Sequence, residues 1–264
     1  MVSVFQNSLQ CLLVEHPEKK CSAVFALNER FENQNLDLSS TDEIDSVITP
    51  GRPDKPALVS PREVSRRNLA TEEGRIALIH AIAHIEFNAI NLALDAMYRY
   101  QTMPEEYYKD WMQVAFEEAQ HFTMLQQRLQ DLGCNYGDMD AHNGLWEMAL
   151  KTQHSVIARM ALVPRVLEAR GLDVTPGMIK RLQGHGDNAT VEILKIIFEQ
   201  EIGHVAIGSR WFNYACELEN VSPEHTFQDL LKEYMAGDLR GPFELDARRK
   251  AGFSTAELEA LQNI

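Results

Sequence analysis

Between residues 72 and 219, apolar side chains return every three or four positions in four long runs, the period of one face of an α-helix. The first run, about 72–98, places Ile76, Ile79, Ala83, Glu86, Ile90, Ala93 and Met97 on one face. The second, about 105–131, places Trp111, Val114, Glu118, His121, Leu125 and Leu132. The third, about 144–170, places Ile157, Ala161, Pro164 and Glu168, with His154 on the same side. Pro164 lies inside this third pattern and predicts a kink or broken turn. The fourth, about 187–219, places Leu194, Ile197, Glu201, His204, Gly208, Trp211 and Ala215. Gly133 and Gly137 punctuate the link from the second to the third run, "GLDVTPGM" follows the third, and "NVSPEH" ends the fourth.

The flanks read differently. Residues 1–30 form one short helix in this pattern, and residues 31–61, rich in Pro, Ser and Asp, form an extended segment expected to lie on the main body. The tail, 222–264, ends in "STAELEALQNI", a short helix with Ser254 as N-cap and Glu257 at the capping-box position. The expected fold class is all-α: an N-terminal region 1–61, a four-helix bundle of two hairpins over 62–220, and a tail 221–264.

Polar residues on the buried faces change the picture. An ionised carboxylate on a core face is costly unless it is paired or bound to metal. Here each of the four faces carries one glutamate, and two faces add a histidine three residues later, Glu118–His121 and Glu201–His204. Glu118 follows Glu86 by 32 positions and Glu201 follows Glu168 by 33, so the layout repeats in two halves. Glu and His at i, i+3 point from one side of a helix. Six such ligands, Glu86, Glu118, His121, Glu168, Glu201 and His204, match the donor set of dinuclear carboxylate bundles. Carboxylate and imidazole suit iron first and manganese as the alternative. A lone Glu-x-x-His is usually a solvated surface pair, and a lone seam glutamate is usually salt-bridged; the argument rests on all four helices contributing.

Other residues read more plainly. Glu117 has no histidine three residues on, so Glu118 is the ligand of the pair. His80 and His84 lie six and two residues before Glu86, and His84, half a turn off the seam, sits beside the ligands or at the surface. His154 is about 21 Å along the helix from Glu168 and is read as a core or pocket polar group. Trp111 and Trp211 are read as core, and Arg159, Arg165 and Arg170 chiefly as ion-pair partners within the fold.

Composition sets limits. The 264 residues suffice for a large core. A net charge of −14 argues against a broad phosphate-binding surface. Cys11, Cys21, Cys134 and Cys216 lack CxxC spacing, and no run of about eighteen uninterrupted apolar residues is present. A reduced, cytoplasmic protein is expected.

The stretches "GRPDKPALVSPREVSRR", "HAIAHIEFNAINLALDA", "FEEAQHF", "ARMALVPRVLEARGLDVTPGM", "EQEIGHVAIGSRWF" and "GPFELDARRKAGF", spanning about residues 50–255, resemble a mainly bacterial family of the ferritin-like superfamily labelled as a domain of unknown function. The resemblance implies a ferritin-like bundle with a di-metal centre and supplies no reaction. The first expectation is an O2-dependent oxidase or hydroxylase acting on a small organic substrate, with an electron donor, no nucleic acid, no membrane, and a monomeric or homodimeric state. The alternative is iron handling or peroxide detoxification without an organic substrate. Behind these stand a tRNA-nucleoside hydroxylase and a metal-free scaffold bundle.

Overall fold

A computed structural model describes residues 2–34, 36–39, 43–64, 68–235 and 239–262. The chain is mostly helical and divides into two compact units, Met1–Glu147 and Met148–Ile264. Among the described residues, strand structure is limited to a two-residue parallel pairing, Val2–Ser3 with Leu36–Asp37, and one bridge, Leu58 with Ala141.

In the first unit, residues 1–30 hold two helices rather than the one expected. Helix α1 (Val4–Leu12) starts at Ser3, whose Oγ accepts from the Phe5 and Gln6 amides. Helix α2 (Pro17–Glu32) restarts at Pro17, whose fixed φ and missing N–H suit a first helical position. The proline that ends one pattern begins the next. Helices α3 (Glu72–Arg99) and α4 (Glu105–Asp131) form a long hairpin; α1 packs on α3 and α2 on α4. Thr71 caps α3 by accepting from the Gly74 amide, and a Cβ at Gly74 would lie 1.9 Å from the Asn68 carbonyl oxygen, so the chain enters this helix against a glycine. Gly133, at φ +74°, ends α4 in the left-handed region that glycine adopts without strain. Among the described residues α3 is the one helix long and apolar enough to cross a membrane, but 83% of its apolar window is buried by its own chain. It reads as a core helix. The segment 43–58 lies along this unit: Gly51 donates to the Leu12 carbonyl, Trp146 Nε1 donates to the Ile48 carbonyl, and Val59 donates to the Ala141 carbonyl.

The third predicted helix, 144–170, is interrupted. Helix α5 (Gly144–Lys151) stops at a turn, and α6 (Val156–Leu162) begins after Ser155, whose Oγ accepts from the Ala158 amide. The Arg159 guanidinium folds back to donate to the Ala149 carbonyl at 2.7 Å and to Thr152 Oγ1 at 3.1 Å, satisfying groups the break exposes. His154 sits in this turn and is exposed, not the core or pocket group expected.

From α6 the second unit continues into a π-helical turn, Val163–Glu168, and then α7 (Ala169–Gly184). The expected stop at "GLDVTPGM" does not occur; α7 runs through Pro176 because Leu172, Asp173, Thr175 and Leu182 are buried, and packing outweighs propensity. Helix α8 (Asn188–Leu218) is capped by Asp187, which accepts from the Thr190 amide, and packs on α6, the π turn and α7. Three further helices follow: α9 (Pro223–Met235), which the sequence pattern did not indicate, α10 (Leu245–Lys250) and α11 (Thr255–Gln262). The capping box of α11 forms as read: Glu257 N donates to Ser254 Oγ at 3.2 Å, and Ser254 N donates to Glu257 Oε2 at 2.8 Å.

Candidate metal centre

On α3 the predicted face is buried from Ile79 to Met97, and Glu86 sits at its middle, 3% exposed. On α4, Trp111, Val114, Leu125 and Leu129 bury the same stripe, which carries Glu118 (1% exposed) and His121 (0%) inward. The helical period therefore delivers three ionisable groups into one apolar hairpin. His121 Nδ1 lies 3.2 Å from Glu86 Oε2 and 3.3 Å from Glu118 Oε2. Ligand atoms of the three residues lie within 4.8 Å of one another, a buried group that could hold a metal ion.

Electrostatics mark the triad as crowded. Burial first, and then the neighbouring Glu118 charge, push the Glu86 carboxyl up to about 8 against the pull of His121. Burial pulls the His121 imidazole down, but hydrogen bonds to Glu118 and Glu86 outweigh it and hold it well above its ordinary value. With protein groups alone the triad must share protons. A divalent cation bound here would supply the positive charge that two buried carboxylates require.

The second unit carries the matching residues. Glu201 and His204 project from one side of α8, with His204 Nδ1 3.5 Å from Glu201 Oε1; His204 is buried and Glu201 half-buried. Glu168, 8% exposed, is the last residue of the π turn. Pro164 begins that turn in effect: it lacks an N–H, and its ring sits against Gly208 of α8, where a Cβ would lie 2.4 Å from Pro164 Cβ and Cγ. The kink predicted at Pro164 is thus a π bulge, a widened turn frequent at functional sites.

The neighbouring polar residues take other roles. His80 is buried and Nε2 accepts from the Gly137 amide at 2.9 Å. His84 is buried as well: Nδ1 meets Tyr136 Oη at 2.9 Å, and Nε2 meets the His142 carbonyl at 3.2 Å. Burial pushes His84 down to about 4, so it is neutral, donates from Nε2 and accepts at Nδ1. Both ring nitrogens are thereby engaged within the protein. Tyr136 packs edge-on against Phe122, with centroids 5.0 Å apart, and beside Phe87; these are the chain neighbours of His121 and Glu86. The 50–58 strap closes over His84, Phe87 and Tyr136 and leaves a cavity of about 10 Å³, room for about one water. Glu117 points away from the triad into an outer groove and accepts from Gln113 Nε2. Trp111 and Trp211 are core residues, 2% exposed each. Arg165 pairs with Glu257 at 2.7 Å, and Arg170 donates to the Arg240 and Pro242 carbonyls.

One buried charge gave no sequence signal. Lys20, 0% exposed, donates from Nζ to the Leu12 carbonyl at 2.9 Å, to the Gly51 carbonyl at 2.7 Å and to Asn91 Oδ1, and lies 5.0 Å from the Phe87 ring centroid. Two of its three partners, Gly51 and Asn91, lie 31 and 71 residues away in sequence.

Comparison with known proteins adds family without chemistry. The chain is 41% identical over 273 residues to an uncharacterised protein of Haemophilus influenzae, covering 98% of this chain and 94% of the relative. No solved structure matches. The family model described as "Protein of unknown function (DUF455)" matches residues 13–259. With nearly its whole length inside that match, the chain belongs to the DUF455 family.

Proposed function

We propose that this protein is a ferritin-like, dinuclear metal carboxylate protein, with iron as the first candidate metal, acting as an O2- or peroxide-dependent oxidoreductase. Glu86, Glu118 and His121 form one half of the donor set, and Glu168, Glu201 and His204 form the other. The observation that carries this reading is the buried Glu86–His121–Glu118 triad. The equivalent donors at the same i, i+3 spacing on α8 support it. Metal ions bound by these residues would supply one-electron redox chemistry towards oxygen or peroxide. The chain's own residues present the donors, exclude bulk water from them and give up the triad's protons on loading.

The metal-free alternative asks two buried carboxylates and one imidazole to stabilise each other, which is unfavourable relative to an apolar core. The same donor set serves oxidation of an organic substrate and metal or peroxide handling, and the experiment below separates them.

The test is metal analysis of the full chain after anaerobic loading with ferrous or manganous ion, followed by O2 and peroxide consumption. Two ions per chain are expected, with Glu118→Ala and His204→Ala each cutting the content sharply. A chain that takes up no metal under either loading sinks the proposal, and full retention in both variants sinks the ligand assignment. A large multi-subunit particle that stores oxidised iron would select metal handling.

A further inference from the structure

Helices α9 and α11 of the second unit line an open pocket of about 290 Å³. Phe227 and Phe253, both buried, form part of its lining, together with Leu231, Ala256, Ala260 and Leu261. Two charged side chains also reach the lining, and both are already engaged. Arg248 donates from Nε and Nη2 to the Asp173 carboxylate at 2.9 and 2.7 Å. Glu257 accepts from Arg165 Nη2 at 2.7 Å and from Ser254 N at 2.8 Å. What remains for an occupant is mostly carbon, with Glu224 and Gln228 as the exposed polar members.

This distribution selects the ligand. An ion entering the pocket would lose part of its hydration and find the two buried charges, Arg248 and Glu257, already paired; a cation would meet only the exposed Glu224 at the rim. An anion would be repelled by it. A neutral apolar molecule gains by the apolar area it covers on both itself and the pocket wall. The volume lies at the small end of ligand pockets. We propose that this pocket is a binding site for a neutral, apolar small molecule: a hydrocarbon chain or ring with at most one uncharged polar end.

The site adjoins the π turn. Phe227 and Phe253, with Phe212, hold the Arg165 guanidinium at 4.5, 4.6 and 4.7 Å from their centroids, and Arg165 lies three residues before Glu168. An occupant that steadies the two rings and Glu257 therefore steadies the turn carrying Glu168. That consequence rests on the reading of Glu168 as a metal ligand; the binding site does not.

The experiment uses the full chain titrated with Nile red, with decanol and decanoate as competitors. Saturable binding is expected, displaced by decanol, with decanoate weaker by about tenfold or more. Ala260→Trp fills the pocket from an exposed helix position, and Ala256→Trp does so independently. Each should weaken Nile red by about tenfold or more with the metal content and melting temperature of the parent. The proposal is overturned by non-saturable binding, by equal displacement with decanoate, or by normal binding in both folded variants. It is equally overturned by a solution dimer that Ala260→Trp dissociates, which would make the occupant a second copy of the chain.

Discussion

A lysine amine with no accessible surface contributes to the pH response of the first unit. Burial pushes Lys20 down to about 7 from the 10.5 of a solvated lysine. Between those values the unfolded chain holds a proton that the folded chain has shed, so the Lys20 contribution to stability rises with pH from 7 upward, by at most about 1.4 kcal/mol per unit. Below 7 both states are charged and the penalty is complete. Burial also pushes the Cys11 and Cys21 thiols up to about 11, so above pH 9 the unfolded thiols ionise first and stability falls again. Glu86, pushed up to about 8, and His121, held above its ordinary value, act in the opposite direction over the same window, because the folded chain keeps protons that the unfolded chain has lost. The Lys20 contribution is therefore read as a difference: in urea denaturation at pH 7 and pH 9, the change in stability should be more positive in the parent than in Lys20→Met, and Lys20→Met should be less stable overall because the Leu12 and Gly51 carbonyls and Asn91 Oδ1 lose their donor. The same change with pH in both proteins would show that Lys20 does not titrate in this range. At this scale the sequence discloses Glu86 and Glu118 but not Lys20. The glutamates interrupt a strong apolar period, whereas Lys20 lies on a weakly periodic helix and takes partners 31 and 71 residues away.

Element boundaries follow local chemistry where caps decide them. Thr71, Asp187 and Ser254 each cap a helix from a position readable in the sequence. The π turn is different. Periodicity alone carries α6 into Glu168 without a break, and the proline announces a defect without its geometry. The missing information is Gly208, which lies 44 residues beyond Pro164 and leaves the space its ring fills. Gly208→Ala should therefore displace the turn. Overpacking of this kind costs about 1–3 kcal/mol, offset by up to about 1 kcal/mol from alanine's better helix propensity. Chemical denaturation should show a net loss, and metal analysis a deficit in the half-set that includes Glu168. A neutral or stabilising Gly208→Ala would mean that Pro164 is not held by this contact.

For the whole molecule, the all-α class and the two long hairpin helices of the first unit are legible because long periodic runs bounded by turns leave little choice. The division after Glu147 falls inside α5, where the apolar pattern has no pause. Metal loading belongs to this scale too. A ligand bound only by the folded state raises stability by RT ln(1 + [L]/Kd), about 2.7 kcal/mol at a hundredfold excess over Kd. Anaerobic ferrous ion should accordingly raise the melting temperature of the parent, and Glu118→Ala should lose most of that gain. An equal gain in both would place the stabilising metal elsewhere.

One carboxylate near the C-terminus carries a wider consequence. Glu257 closes the cap of α11 with one oxygen and neutralises the buried Arg165 with the other. The last helix and the π turn are thus one cooperative unit, separated by 92 residues of chain. A trimmed protein ending after Lys250 would strip Arg165 of its carboxylate partner and of the Phe253 ring packed on it, and removing one partner of a buried pair costs about 3–5 kcal/mol. The smallest folded version of this protein is therefore set not by the end of the longest helix but by a surface-looking segment that an engineer seeking a minimal core would discard first.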